Sequence, residues 1–349
     1  MATFGQWVQG ARPRTLPAAV APVLVGAAAA WWVLGRFLTD PDREALSSAA
    51  AGLASSGGGW SVLVGTGAVS SYSSSGPVPL PPAADTPLAF AVRVLLALVV
   101  ALALQIGVNY ANDYSDGIRG TDEARVGPVR LVGQKLASPR SVKLAAFGCF
   151  GLAALAGLAL VVMTQAWWLL LVGAAAIVAA WFYTGGPSPY GYAGLGEVFV
   201  FVFFGLVAVM GTTYVLTLQL TGLALAGGIA CGSLSVAILL ANNLRDIPTD
   251  AVSGKRTLAV RLGDARTRTA YIAALALPFV VAGVLALTTT PWTLLALVAL
   301  PLAAAPARTV RQGALGRDLV AVLAGTGRLL LVYAVLLSAG IVVGQSLAG

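Results

Sequence analysis

The stretch Asn112-Asp-Tyr-Ser-Asp-Gly-Ile-Arg-Gly-Thr-Asp122 places three carboxylates, Asp113, Asp116 and Asp122, just after an apolar run from Leu88 to Gly107. If that run is a helix and continues, Asn112 and Asp116 are four apart and Asp113 and Asp116 three apart, so they share one face. Gly117 and Gly120 then signal its end. Carboxylates clustered at the end of an apolar helix are costly unless a cation offsets them. Hard divalent cations take oxygen ligands, and Mg2+ is commonly held by one or two carboxylates together with substrate phosphates. A second cluster, Asn242-Asn-Leu-Arg-Asp246-Ile-Pro-Thr-Asp250, also follows an apolar run and sets two Asp four apart, with Pro248 between them as a possible helix breaker. Gly254-Lys-Arg256 follows at once and adds cations that suit phosphate. Two such patches facing each other across a bundle would make a metal-dependent diphosphate clamp. The plainer alternative is a pair of solvated helix ends.

The elements that must position these residues are membrane helices. The chain of 349 residues is 58% hydrophobic and only 10% charged, with a mean hydropathy of +0.87. That composition belongs to a polytopic membrane protein, not to a soluble domain. Nine apolar segments are legible, at about 16–34, 88–109, 143–163, 167–184, 196–217, 221–241, 270–288, 292–306 and 328–345. No small-residue cleavage site follows the first, which reads as a retained span. Of the Lys and Arg residues, all but Arg36, Arg43 and Arg93 fall on the side of the N-terminus if the nine segments cross in turn. The positive-inside rule then orients the chain N-in and C-out, with both acidic clusters facing the cytoplasm. Trp31, Trp32, Trp167, Trp168 and Trp292 fall at the outer ends, where indole favours the interface. Residues 35–87, rich in Ser, Gly, Ala and Pro, read as an outer loop insert.

The expected architecture is therefore an all-α integral membrane bundle of nine transmembrane helices, a single domain over residues 1–349. Residues 110–142 and 242–269 form its cytoplasmic active-site loops. Each acidic cluster follows an even-numbered segment, the second and the sixth, which suggests two similar four-helix halves plus a ninth helix. Cys149 and Cys231 lie in apolar runs and read as buried thiols. The absence of histidine removes the commonest general base and any His-based triad. Nothing in the chain points to a nucleic-acid partner or sets an oligomeric state.

At Asn112-Asp113-x-x-Asp116 with Asp122, and at Asp246-x-x-x-Asp250, the sequence resembles the UbiA superfamily of intramembrane prenyltransferases. Gly10-Ala-Arg-Pro-Arg-Thr-Leu-Pro17, Gly127-Pro-Val-Arg-Leu-Val132, Tyr183-Thr-Gly-Gly-Pro187 and the segment Asn242 to Gly263 look like the branch that prenylates 1,4-dihydroxy-2-naphthoate in menaquinone synthesis. The resemblance covers nearly the whole chain except residues 35–87. It implies transfer of a polyprenyl group from polyprenyl diphosphate to an aromatic acceptor in the cell membrane, with Mg2+ as cofactor and membrane lipid as surroundings. Metal ligands are expected at Asn112, Asp113, Asp116, Asp246 and Asp250. The last carboxylate of the first motif stands at Asp122, six after Asp116, with Gly at 120, a departure from the commonest family spacing.

Cations that could meet the diphosphate are Arg119, Arg130, Lys135 and Lys255, although loops on the positive side are basic in any case. Arg12 suits the acceptor's carboxylate or a lipid headgroup. Tyr110, Tyr114, Tyr183 and Tyr190 lie at the level where ring faces could shield an allylic cation. Without histidine, the acceptor's phenolic proton is left to Asp116, Asp122, Glu197 or the released diphosphate. Acceptors such as 4-hydroxybenzoate, homogentisate or a lipid stay open. A transporter, the rival of another class, would place ionisable groups near the bilayer midplane, whereas the apolar runs here are clean of charge.

Overall fold

The computed structural model describes residues 2–39, 86–120 and 129–348. The expected insert therefore lies outside the described residues for most of its length, as does Asp122. Every described element is helical. A short helix α1, Phe4–Gly10, starts on a capping box in which the Thr3 hydroxyl accepts from the Gln6 N–H and the Gln6 side chain accepts from the Thr3 N–H. The long elements are α2 (Pro17–Thr39), α3 (Pro87–Ile118), α4 (Pro139–Thr164) and α5 (Leu169–Phe182). After them come α6 (Gly196–Phe201) and α7 (Ala208–Thr217), which run on through a π-helical turn at Val202–Val207. The last are α8 (Gly222–Val252), α9 (Leu258–Thr288), α10 (Leu300–Arg311) and α11 (Asp318–Ala348).

Eight of these stretches are long and apolar enough to cross a membrane, making this a multi-pass membrane protein. The fourth expected segment, α5, is helical but has only 14 residues, about 21 Å at 1.5 Å per residue, against a hydrocarbon core of about 30 Å. Two segments extend well past their apolar runs: α3 reaches Ile118 and α8 reaches Val252. The expected active-site loops thus begin as helix, and Pro248 is carried inside α8 rather than ending it. α9 also starts early, at Leu258, with a non-helical Gly263 (φ 76°) inside it. The eighth segment is a 3-10 stretch, Pro291–Ala299, leading into α10.

The core divides unevenly. The main apolar cluster joins α2 to α8–α11 through fully buried residues such as Leu234, Tyr271, Leu330, Tyr333 and Leu337. Here backbone groups freed by proline find partners, as a dry interior requires. Pro278 has no N–H to give the Ala274 carbonyl one turn back, and Ser233 Oγ of α8 supplies that bond at 2.7 Å. Tyr333 Oη of α11 donates to the Pro278 carbonyl itself at 2.6 Å. The π turn lets Gly205 pack directly on α8, where a Cβ would meet Gly232 Cα and the Gly228 carbonyl oxygen at 2.5 Å. A smaller cluster of Val23, Ala97, Leu160 and Val215 closes the far end of α2, α3, α4 and α7. A third, around Leu131, Val142 and Phe150, holds the start of α4 to α3.

Candidate active site

Asn112, Asp113 and Asp116 stand on the last turns of α3, all buried. Their side chains go three ways. Asn112 Oδ1 accepts from the Thr184 hydroxyl at 2.8 Å. Asp113 accepts two consecutive backbone N–H groups, Leu131 to Oδ2 at 2.7 Å and Val132 to Oδ1 at 3.2 Å. Asp116 is the hub. Lys255 Nζ lies 3.2 Å from its Oδ1, Arg130 approaches its Oδ2 at 4.0 Å, and the Tyr192 hydroxyl donates to it in a short hydrogen bond. The Lys255 ammonium also sits 4.4 Å from the centre of the Tyr192 ring, so one side chain meets both a carboxylate and an aromatic face. Burial, and next the Asp116 carboxylate, push the Tyr192 phenol well above its ordinary range. It therefore remains a donor at neutral pH.

The second cluster occupies the last turns of α8. Asp246 is held by its sequence neighbour: Arg245 Nε and Nη2 donate to its two oxygens at 2.7 Å each, and the same Nη2 reaches Asn242 Oδ1 at 2.9 Å. Asn243 Nδ2 donates to Glu197 Oε1 at 2.9 Å, fixing the buried carboxylate in the first turn of α6. Asp250 is buried, and its carbonyl accepts the Lys255 N–H at 2.9 Å, closing the turn that returns Lys255 toward α3.

One cavity of about 1550 Å³ connects these groups to the apolar interior. Its polar end carries Arg12, Asn112, Asp116, Arg130, Arg245, Asp250 and Lys255. Tyr183, Tyr190, Tyr192, Phe199 and Phe203 form an aromatic collar, in which Tyr190 and Phe199 stack at 4.0 Å. Burial raises the Tyr190 phenol strongly, keeping it neutral. Beyond the collar the wall is Ala, Gly, Val and Leu from α2, α3, α4, α5 and α7, as far as Val23, Ala97, Leu160 and Val215. From Asp116 back to Ala97 along α3 is about 28 Å at 1.5 Å per residue, close to the depth of the hydrocarbon.

Of the expected metal ligands, Asn112, Asp116 and Asp250 reach this cavity, whereas Asp113 and Asp246 turn to the partners named above. No three acidic side chains among the described residues come close enough to cage an ion by themselves. The donor set still fits Mg2+, since two carboxylates and an amide oxygen that line one cavity are the hard, incomplete set that substrate phosphates would finish.

Of the expected cations, Arg12, Arg130 and Lys255 line the cavity. Arg12 adopts φ +55° between α1 and α2. Arg119 instead donates to the carbonyls of Thr184 and Gly186, a bracing contact between α3 and the turn after α5. Lys135 is exposed and lies off the cavity, at a left-handed turn position with φ +55°. Tyr110 is spent on the Trp7 carbonyl at 3.0 Å and Tyr114 stacks on Trp181, so neither joins the collar. Glu197 lies behind the cavity wall beside Asn243. Sequence reasoning missed Tyr192, Thr184, Asn243 and the pairing of Arg245 with Asp246. Thr184 stood inside the Tyr183-to-Pro187 motif, a signal that could have found it.

The family model described as the UbiA prenyltransferase family matches residues 60–318. A 1,4-dihydroxy-2-naphthoate octaprenyltransferase of Mycobacterium tuberculosis is 49% identical over 345 residues, 99% of each chain. A protein of the same name from Escherichia coli is 37% identical over 268 residues, 75% of this chain and 70% of that one. In structure the chain resembles a UbiA homolog from Archaeoglobus fulgidus bound to DMAPP and Mg2+. The TM-score is 0.56 at 12% identity, covering 97% of this chain and 99% of that one, a likeness of fold.

Proposed function

The chain belongs to the UbiA prenyltransferase family, and on that premise we propose that it transfers a polyprenyl group from polyprenyl diphosphate to 1,4-dihydroxy-2-naphthoate. The acceptor loses its carboxylate as CO2, and the products are diphosphate and the prenylated hydroquinone, which is the reduced form of demethylmenaquinone. One observation carries this reading. A single cavity joins a buried carboxylate–cation head to an apolar gallery nearly as deep as the bilayer, matching a donor with a charged head and a long tail. The name of the relative that is 49% identical supports the naphthoate acceptor.

Asp116 and Asp250, with Asn112 as a neutral oxygen, would hold Mg2+, which when bound neutralises charge on the departing diphosphate. The chain's own cations act beside it. Arg130, Arg245 and Lys255 line the polar end of the cavity, and charge-assisted bonds from them to a diphosphate would strengthen as negative charge builds on the leaving group. Tyr183, Tyr190 and Tyr192 line this end of the cavity, where aromatic rings would stabilise the positive charge on the carbon from which diphosphate departs. Arg12, at the same end of the cavity, orients the acceptor through its carboxylate. The phenolic proton goes to Asp116, which lines the cavity, or to the released diphosphate. Glu197 acts through Asn243.

The chain crosses the plasma membrane nine times as one domain, α5 included, with the N-terminus and the active site in the cytoplasm. The charge bias of the loops supports this orientation. Cysteine placed at the exposed Ser253 is then unreachable by an impermeant thiol reagent from outside intact cells. Labelling there would reverse the topology.

The activity is tested on purified protein with radiolabelled polyprenyl diphosphate and a panel of acceptors, with EDTA and with Mg2+ restored. Transfer to 1,4-dihydroxy-2-naphthoate that needs the metal is the expected result. Preference for 4-hydroxybenzoate or homogentisate would overturn the acceptor, and no transfer to any acceptor would overturn the reading.

A further inference from the structure

Asp113 is the buried acid of the first cluster that the mechanism above does not use. It stands about a third of a turn round α3 from Asn112, off the face that lines the cavity. Its carboxylate takes the N–H groups of Leu131 and Val132 at 2.7 and 3.2 Å. Four later N–H groups turn inward: that of Gln134 bonds the Arg130 carbonyl, that of Lys135 the Val132 carbonyl, and those of Leu136 and Ala137 the Leu131 carbonyl. The first two donors are handed to α3. Leu131 is fully buried against Gly10, and Val132 packs on Gly117 so closely that a Cβ there would meet it at 2.5 Å. The residue just before these two pinned positions is Arg130, whose guanidinium reaches to 4.0 Å from Asp116.

From this geometry we infer that Asp113 is a positioning residue for Arg130. One carboxylate holding two successive N–H groups fixes the peptide planes at 131 and 132 in register with α3. That sets the Cα of residue 130 and the direction its side chain leaves. Asp113 and Asp116 thus divide the work of one helix turn: the first locates the backbone that carries a diphosphate-binding arginine, and the second faces the arginine itself. The inference rests on the proposed function for what Arg130 binds, and on the structure alone for what Asp113 holds.

The test is a double-mutant cycle between Asp113→Asn and Arg130→Ala in the full-length enzyme, with hydrogen exchange read on the same preparations. Asp113→Asn replaces one acceptor oxygen by an NH2 group that faces an N–H. The KM for polyprenyl diphosphate should rise about tenfold, as it should for Arg130→Ala, with the acceptor KM and the Mg2+ half-saturation unchanged. The double variant should be within twofold of Arg130→Ala alone, since residues acting as a unit do not add. The peptide spanning 129–137 should exchange faster in Asp113→Asn than in the wild type. Additive effects would overturn the inference. A raised Mg2+ half-saturation would do so too, because it would make Asp113 a metal ligand. So would a fall in kcat with both KM values unchanged, the mark of a merely structural role. Should Asp113→Asn fail to fold, Asp113→Glu, which keeps both acceptor oxygens, is read in the same cycle. A wild type that transfers no prenyl group would sink the functional reading, while the exchange measurement would still decide whether Asp113 holds the segment.

Discussion

Replacing Asp116 by Asn keeps the shape of the side chain and removes its charge. The structure says what that strands. Lys255 Nζ lies 3.2 Å from Asp116, the two side chains being 5% and 4% exposed, so the pair is buried and the discount for a surface ion pair does not apply. Breaking a buried pair from one side costs about 3–5 kcal/mol, because the remaining charge loses its partner. Asp116→Asn should therefore lose about 3 kcal/mol of stability, a fall in Tm of about 6 °C at about 2 °C per kcal/mol. Adding Lys255→Met removes the orphaned ammonium and should restore most of that loss. Activity should not follow stability. Both the single and the double variant lose an electrostatic stabiliser worth about 3–4 kcal/mol of barrier, a fall of a hundredfold or more in transfer. Thermal unfolding in detergent can be followed by the reaction of a thiol dye with Cys231, which is fully buried in the fold. Transfer is measured with labelled donor. A single variant as stable as the wild type would show that the Asp116–Lys255 pair is not formed as drawn. A double variant that regained transfer would show that Asp116 serves only to neutralise Lys255.

Asp250→Asn should cut transfer by about a hundredfold or more in the same assay, on the same electrostatic ground; near-normal Mg2+-dependent transfer would remove Asp250 from the site. Gly211 lines the apolar gallery, and a Cβ there would meet nothing within 4 Å, so Gly211→Phe should fill the gallery rather than clash. Its kcat/KM should fall at least tenfold for long-chain donors and stay near wild type for geranyl diphosphate; equal loss for both would mean that long tails do not lie along α7. Ser233→Ala should cost about 1 kcal/mol of stability by leaving the Ala274 carbonyl without a donor; an unchanged Tm would show that the proline-freed carbonyl needs no partner.

Eight of the nine apolar segments were legible as spans because helices in lipid must be long and apolar whatever they pack against, while α5 is apolar but short. Also legible were Asn112, Asp116 and Asp250, which stand where polar residues interrupt that pattern. The reach of α3 to Ile118 and of α8 to Val252 was harder to read, because the last turns of each are held by tertiary contacts and not by hydropathy. Pro248 looked like a breaker, yet the burial of Leu244, Arg245, Asp246 and Asp250 around it carries the helix through. Asp246 and Arg245 are adjacent, and adjacent residues on a helix do not face each other along the ridge. Their bidentate pairing depends on side-chain reach, which spacing does not express. Tyr192 lies in a turn with no periodic relation to α3, and its bond to Asp116 joins residues 76 apart. Such a contact exists only once α3, α6 and the turn between α5 and α6 are packed.

The apolar gallery has a thermodynamic consequence of its own. A soluble enzyme that swallowed so long a tail would gain free energy from every methylene taken out of water. Here the tail comes from the bilayer, a solvent as apolar as the gallery's Ala, Val and Leu walls, so the transfer is nearly neutral. Tail length by itself then adds little affinity, and the free energy of capture comes from the head, which the proposed function seats beside Arg130, Arg245 and Lys255. Among donors with the same diphosphate head, the chain can choose only by shape, by where the space beside Gly157, Gly173 and Gly211 stops. Lipid acyl chains can enter the same space on the same terms. The membrane is thus a competitor for the gallery as well as its solvent, and a donor's apparent affinity should be counted per mole of lipid rather than per litre of water.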